Sequence, residues 1–203
     1  MKSKKKVLVT VLCAVLLVVG SVLGTMAYLT KTTDTATNTF TVGNVTITLD
    51  EAKVDVNGVA IPNADRVTGN EYKLIPGHTY LKDPTIHVDA NSEDCWLFVK
   101  VENGISGIEA TGGNETPIAS QMVANGWTSV TGETNVYAYR SKVNAGDNIA
   151  VFGGFKIASN ADTSTYVNQD GKVTATIKVT GYAVQADGFT TAADAWAAAP
   201  ARW

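Results

Sequence analysis

Cysteine is almost missing from these 203 residues: there are two, Cys13 and Cys95. Cys13 sits inside an N-terminal apolar run, so the rest of the chain holds a single thiol and cannot close an internal disulfide. Cys95, next to Trp96 and Leu97 at the head of another apolar run, reads as a small buried hydrophobe rather than a nucleophile. Histidine is equally scarce, with His78 and His87 alone and no His-Glu-x-x-His spacing to set two imidazoles on one helical face. A zincin centre is excluded. His87 and Asp89 share a face of an extended segment at i and i+2, which supplies two ligands and not a catalytic set. Ser106, within Gly104-Ile105-Ser106-Gly107, lacks the nucleophile-elbow pattern, so serine hydrolase chemistry has no support. There is no internal repeat.

Charge is absent between Lys6 and Lys31, and that gap defines the N-terminus. Lys2, Lys4, Lys5 and Lys6 precede an apolar run from Val7 to Leu23, followed by Gly24-Thr25-Met26-Ala27. A basic start, a short greasy core and a small-residue exit read as an export signal at 1–27. Thr25 and Ala27 put small side chains where a signal peptidase needs them, so cleavage is expected to leave Tyr28 as the first residue. The 24 uncharged residues also reach the ~20 that a membrane anchor needs, which is the competing reading. Cleavage is favoured by the Gly20-Ser21 break and by the end of the strongly apolar part at Leu23. Cys13 lies mid-core behind Val11-Leu12, a poor lipobox. The remainder of the chain is thus expected outside the cytoplasm.

That remainder, about 176 residues, suits one domain with a hydrophobic core. All 19 acidic residues but only 12 of the 16 basic ones lie in it, a net charge of about −7. Such an acidic surface repels phosphate backbones, so no nucleic-acid partner is expected. Residues 28–39 are Thr-rich, free of Gly and Pro, and carry strand propensity with too little apolar surface to fold alone. Phe40 and Val42 then alternate on one face. After Gly43-Asn44 the apolar set moves to Val45, Ile47 and Leu49, as a bulge or tight turn would require.

Further on, turn residues at Asn57-Gly58, Pro62-Asn63, Gly69-Asn70 and Pro76-Gly77 mark a loose excursion or hairpin that includes an extended Tyr72 to Ile75. Thr85 to Val88 reads as a short strand, and Cys95 to Glu102, apolar on both faces before it alternates, as a central strand. The insert 103–126 predicts a short helix, with Thr116-Pro117 supplying a cap and a first-turn proline, Ile118, Met122 and Val123 at helical spacing and Asn125-Gly126 as its stop. Strands follow at Val136 to Arg140, Ile149 to Phe152 and Phe155 to Ile157. Val173, Ala175, Ile177 and Val179 then alternate against Thr174, Thr176, Lys178 and Thr180. The Ala-rich tail from Thr191 to Ala199, with Trp196, suggests a terminal helix. About eight to ten short strands and at most two helices predict an all-β fold, an antiparallel β-sandwich over 40–203.

Asp162, Asn168 and Asp170 surround a turn at Gly171, and hard cations favour such oxygens, but the EF-hand spacing is missing and Asn-Gln-Asp-Gly is also an ordinary hairpin turn. Trp96, Trp127, Tyr137, Tyr139, Phe152 and Phe155 would form a glycan platform if several faced outward. Packing inside the sandwich is the reading their bulk favours. No cofactor and no metal is expected.

The residues resemble those of the secreted TasA and camelysin-type proteins processed by the SipW class of signal peptidase. Gly24 to Thr30, Ala36 to Val45 and Ile47-Thr48-Leu49 carry the likeness, supported by Leu74-Ile75-Pro76-Gly77, Lys82-Asp83-Pro84-Thr85 and Trp96 to Val101. It is good over 1–50, fair over 72–102 and weak over 103–170. The resemblance implies a jelly-roll subunit of an extracellular biofilm-matrix fibre, with copies of itself as partner, other matrix proteins or a cell-wall anchor as further partners, and the SipW-type peptidase during export. It also implies that the freed N-terminal strand enters the sheet of the next subunit, placing Thr30, Thr32, Asp34, Ala36, Asn38, Phe40 and Val42 on one face of it. Twelve extended residues, 28–39, span about 40 Å, enough to reach a neighbour. The plain alternative for 28–39 is a solvated linker, and camelysin-like metallopeptidase activity would rest on family naming alone.

Overall fold

Nine residues in one strand organise the molecule. A computed structural model describes residues 44–113, 115–169 and 173–199. Strand β4 (Cys95–Asn103) sends Cys95, Leu97, Val99 and Val101 into the main core, and Trp96 and Phe98 to the opposite face, into a second apolar cluster. Burial on both faces demands consecutive apolar residues, which is why this stretch reads as a continuous hydrophobic run. At Lys100 and Glu102 the second face is uncovered and the polar residues appear.

The other strands are β1 (Ile47–Asp50), β2 (Thr79–Leu81), β3 (Thr85–Val88), β5 (Trp127–Ser129), β6 (Val136–Tyr139), β7 (Asn148–Ala150), β8 (Gly154–Lys156) and β9 (Ile177–Gln185). They form sheets of order β1-β3-β7, β2-β8 and β5-β6-β4-β9, with every strand pair antiparallel. The described residues are therefore all-β in class, with two short α-helices and a 3-10 turn at Ser164–Tyr166. Residues from all three sheets share the main core: Ile86 and Val88 from β3, Tyr80 from β2, Phe155 from β8, and Leu97 and Val99 from β4. β4 and β9 pair along their whole length, from Cys95↔Gln185 to Asn103↔Ile177.

Helix α1 (Ile118–Ala124) lies in the expected insert and buries Ile118 and Met122, spaced i and i+4 on one face. Two details of the expectation change. Pro117 holds the cap position without any side-chain cap, and Glu109 Oε1 instead accepts the Ile118 N–H at 2.7 Å. Val123 is 68% exposed, because one residue beyond Met122 is about 100° around the helix and off the buried face. Helix α2 (Ala192–Ala198) starts at Thr191, whose hydroxyl accepts the Asp194 N–H at 3.1 Å while the Asp194 carboxylate accepts from Thr191 and Thr190. It lays Trp196 over Phe98, ring centroids 4.7 Å apart.

Strand β9 begins later than its alternation suggests. Residues 173–180 do alternate half-buried and exposed, but only from Ile177 does the chain pair with β4; Val173 forms an isolated bridge with Val167. The excursion after β1 contains a small hairpin, with Val54 bridged to Ala60 around Asn57-Gly58. No strand is assigned over Tyr72 to Ile75.

Candidate functional site

β1 and β9 are edge strands. β1 pairs only with β3, and β9 only with β4, among the described residues. The two edges meet at Gly181, where a β-carbon would lie 3.4 Å from the Cδ1 atoms of Ile47 and Ile86. Beside Leu49 and Ile177–Val179 a groove of about 420 Å³ opens. Val173, Ala175, Ile177 and Val179 form one wall, the odd-numbered set that the sequence alternation picks out, and Leu49, Leu74 and Phe155 add further apolar surface.

Charge lines this groove as well. Glu51 and Lys82 are 3% and 8% exposed, and Lys82 Nζ lies 2.5 Å from Glu51 Oε2. Each arrives for a backbone reason. Glu51 follows β1 and exchanges both main-chain hydrogen bonds with Val67 at 2.8 Å, which turns its side chain inward. Lys82 sits in Lys82-Asp83-Pro84, the short link from β2 to β3, and the Ala52 N–H donates to Asp83 Oδ1 at 2.6 Å, fixing that link against the end of β1. The excursion returns Asn70 to the pair, where its Nδ2 donates to Glu51 Oε1 at 2.8 Å and to the Ala52 carbonyl at 2.9 Å, while its Oδ1 accepts the Val54 N–H at 3.0 Å. A buried ion pair is sustained by further polar contacts, and here both oxygens of Glu51 are engaged, one by Lys82 and one by Asn70.

Tyr72 borders the pair. Its ring lies 5.8 Å from Lys82 Nζ, its hydroxyl donates to the Leu81 carbonyl at 3.0 Å, and burial, then the Glu51 charge, raises its phenol above the ordinary range. Outside, Arg66 bonds to Asp50 and, through Nη1, to Asp83 Oδ2 at 2.9 Å. His87 Nε2 reaches Asp50 Oδ1 at 2.9 Å, and its Nδ1 meets Asn148.

Comparison with family models, curated proteins and solved structures finds no match. The site is therefore read from its own chemistry.

Residues named from the sequence fall into two groups. Thr25, Ala27 and Tyr28 of the expected cleavage site, and Thr30, Thr32, Asp34, Ala36, Asn38, Phe40 and Val42 of the expected donor face, lie outside the described residues, as do Asp170 and Gly171. The rest have visible environments. Cys95 is fully buried, and burial, with Asp94 and Asp147 adding to it, pushes its thiol up to about 11, as befits a core residue. His87 bonds to Asp50 and Asn148 rather than teaming with Asp89, and His78 Nε2 meets the Asn57 carbonyl at 2.8 Å. Ser106 sits exposed in a turn, and Asp162 Oδ1 accepts the Ser164 N–H at 2.9 Å. Trp96, Trp127, Phe152 and Phe155 are buried, with Tyr137 and Tyr139 half-buried against the main core, so these aromatics pack the interior. Among the described residues no group of three His, Cys, Asp or Glu is placed to hold a metal, and no helix is long and apolar enough to cross a membrane.

Glu51, Asn70 and Lys82 are what the sequence reading misses. The one signal available was a lysine in a stiff Asp-Pro link between strands, which reads equally well as solvated.

Proposed function

We propose that this chain is an exported structural subunit, a jelly-roll β-sandwich rather than an enzyme, that polymerises in the extracellular matrix by strand donation. Segment 28–42, freed by cleavage after Ala27, enters the groove of the next copy. The observation that carries the reading is a groove bounded by two strand edges with no partner among the described residues, β1 and β9, and walled by alternating apolar side chains. An extended segment added to such an edge gains main-chain hydrogen bonds for affinity and side-chain pockets for register. Phe40 and Val42 alternate with the period of the wall, and Thr30, Thr32, Asp34, Ala36 and Asn38 continue the same face. An open edge is otherwise an aggregation liability, and ordered polymerisation turns that liability into a specific contact. The resemblance to TasA and camelysin-type proteins points the same way.

Purified chains beginning at Tyr28 and at Phe40 test this directly by negative-stain imaging. Filaments are expected from the longer chain alone, and N-terminal sequencing of the secreted protein is expected to start at Tyr28. Equal assembly by both chains would overturn strand donation.

A further inference from the structure

Glu51 does more than neutralise Lys82: one carboxylate spans an amine and a primary amide. Its Oε2 contacts Lys82 Nζ at 2.5 Å and its Oε1 accepts from Asn70 Nδ2 at 2.8 Å. The amide oxygen of Asn70 receives the Val54 N–H at 3.0 Å. A nucleophile, a proton carrier, an acyl carbon with a leaving amine, and a donor aimed at the acyl oxygen are thus assembled in one place, with Glu51 and Lys82 buried, Asn70 half-buried, and the Tyr72 ring and Phe155 alongside. Those are the parts of an acyl transfer.

We infer that Lys82 and Asn70 join in an intramolecular isopeptide bond, with Glu51 as the proton relay. Lys82 gives one proton to Glu51 Oε2 and attacks Asn70 Cγ with the lone pair so freed. The Nζ–Cγ bond forms, the carbonyl electrons move to Oδ1, and the Val54 N–H steadies the charge there. Glu51 then passes the proton it holds to Nδ2 and takes the second proton from the Lys82 nitrogen. The Cγ–Nδ2 bond breaks, the carbonyl re-forms, and ammonia departs. The ledger of atoms closes: a protonated amine, a carboxylate and a primary amide become a secondary amide, a carboxylic acid and ammonia. No oxidant, metal or cofactor enters.

Holding the groups together replaces an encounter in solution, for which effective concentrations of roughly 10⁵ M and above are reached in well-oriented systems. The bond would tie the excursion to the β2–β3 link, where the described residues hold one cysteine, Cys95, and no disulfide. It forms within one molecule and does not depend on polymerisation.

Mass spectrometry of the purified chain decides the matter. Trypsin cannot cut after an acylated Lys82, so the expected product is peptide 67–73 joined to peptide 74–100, lighter than their sum by one ammonia. Glu51→Gln keeps the shape but cannot carry the proton, and is expected to yield separate peptides with full mass and cleavage after Lys82. Lys82→Arg removes the nucleophile and is expected to show no loss. Separate peptides of full mass from the unaltered protein would overturn the proposal, whatever the variants do. So would an ammonia loss that survives in Lys82→Arg, since that marks a cyclic imide at Asn70. A cross-link that forms undiminished in Glu51→Gln would overturn the relay.

Discussion

The two faces of the four-stranded sheet are built from the same strands and finished in opposite ways. On one, Trp96 and Phe98 of β4 and Tyr182 and Val184 of β9 are roofed by α2, and Trp196 closes over Phe98. The Trp196 indole N–H donates to Glu133 at 3.1 Å, so even the roof's polar atom is used. On the other, the main core runs to the β1 and β9 edges and stops at a groove that holds a buried ion pair. The helix covers the first face at Trp96 and Phe98 and leaves Lys100 and Glu102 outside it. The other two sheets cover the second face over Cys95, Leu97, Val99 and Val101, and among the described residues only its rim at the β1 and β9 edges has no such cover. Packing and access separate along this line: the helix-covered end closes aromatic rings over one another, while the rim keeps strand edges without a partner among the described residues, an apolar wall and a buried ion pair together.

Phe98→Ala removes a fully buried ring tilted against Trp196 and is expected to cost about 3–5 kcal/mol, read as a fall in the urea midpoint with little change in slope. A loss below about 1 kcal/mol would mean that α2 is a loose lid and the two faces are alike. At the open face the sensitive point is Gly181, where a β-carbon already meets Ile47 and Ile86 at 3.4 Å. Gly181→Val pushes a branched side chain between β1 and β9 and is expected to cost about 1–3 kcal/mol by overpacking. A variant as stable as the parent would show that the edges part freely even where they touch.

What could be read from the sequence follows the same division. β4 was legible because burial on both faces prints a run of apolar letters, and the first half of β9 because one covered face prints alternation from Ile177 to Thr180. α2 announced itself through Thr191 and a run of alanines, α1 through Pro117 and the Ile118 to Met122 spacing. The limits of β9 were not legible, since residues 173–176 carry the alternation without pairing to β4. The Glu51, Asn70 and Lys82 cluster was hidden for another reason. Asn70 and Lys82 lie 19 and 31 residues from Glu51, and the excursion that brings them back is held by turn geometry rather than by any periodic pattern. A charged letter in sequence is read as solvated, and only the folded chain shows it to be enclosed.

The smallest expected effect sharpens the contrast at the rim of the open face, where charge is half-wet rather than buried. Burial works against ionisation of Asp50, but hydrogen bonds from Arg66 and His87 outweigh it and hold the carboxyl below its ordinary range. The folded protein therefore keeps Asp50 ionised at a pH where the unfolded chain has begun to protonate it. Its contribution is complete above the unfolded value of about 4 and is lost as pH falls through the lower folded value. Because the Asp50 and Arg66 side chains remain 27% and 35% exposed, solvent keeps that contribution under about 1 kcal/mol. Urea melts of the parent and Asp50→Asn at pH 3 to 7 should give a stability difference that is flat from about pH 5 upward and narrows below about pH 4. Phe98→Ala, which deletes no titrating group, should show no such narrowing. If the Asp50→Asn difference stayed constant to pH 3, the Arg66 and His87 contacts would carry no net charge energy, and the rim would be as electrostatically inert as the roofed face.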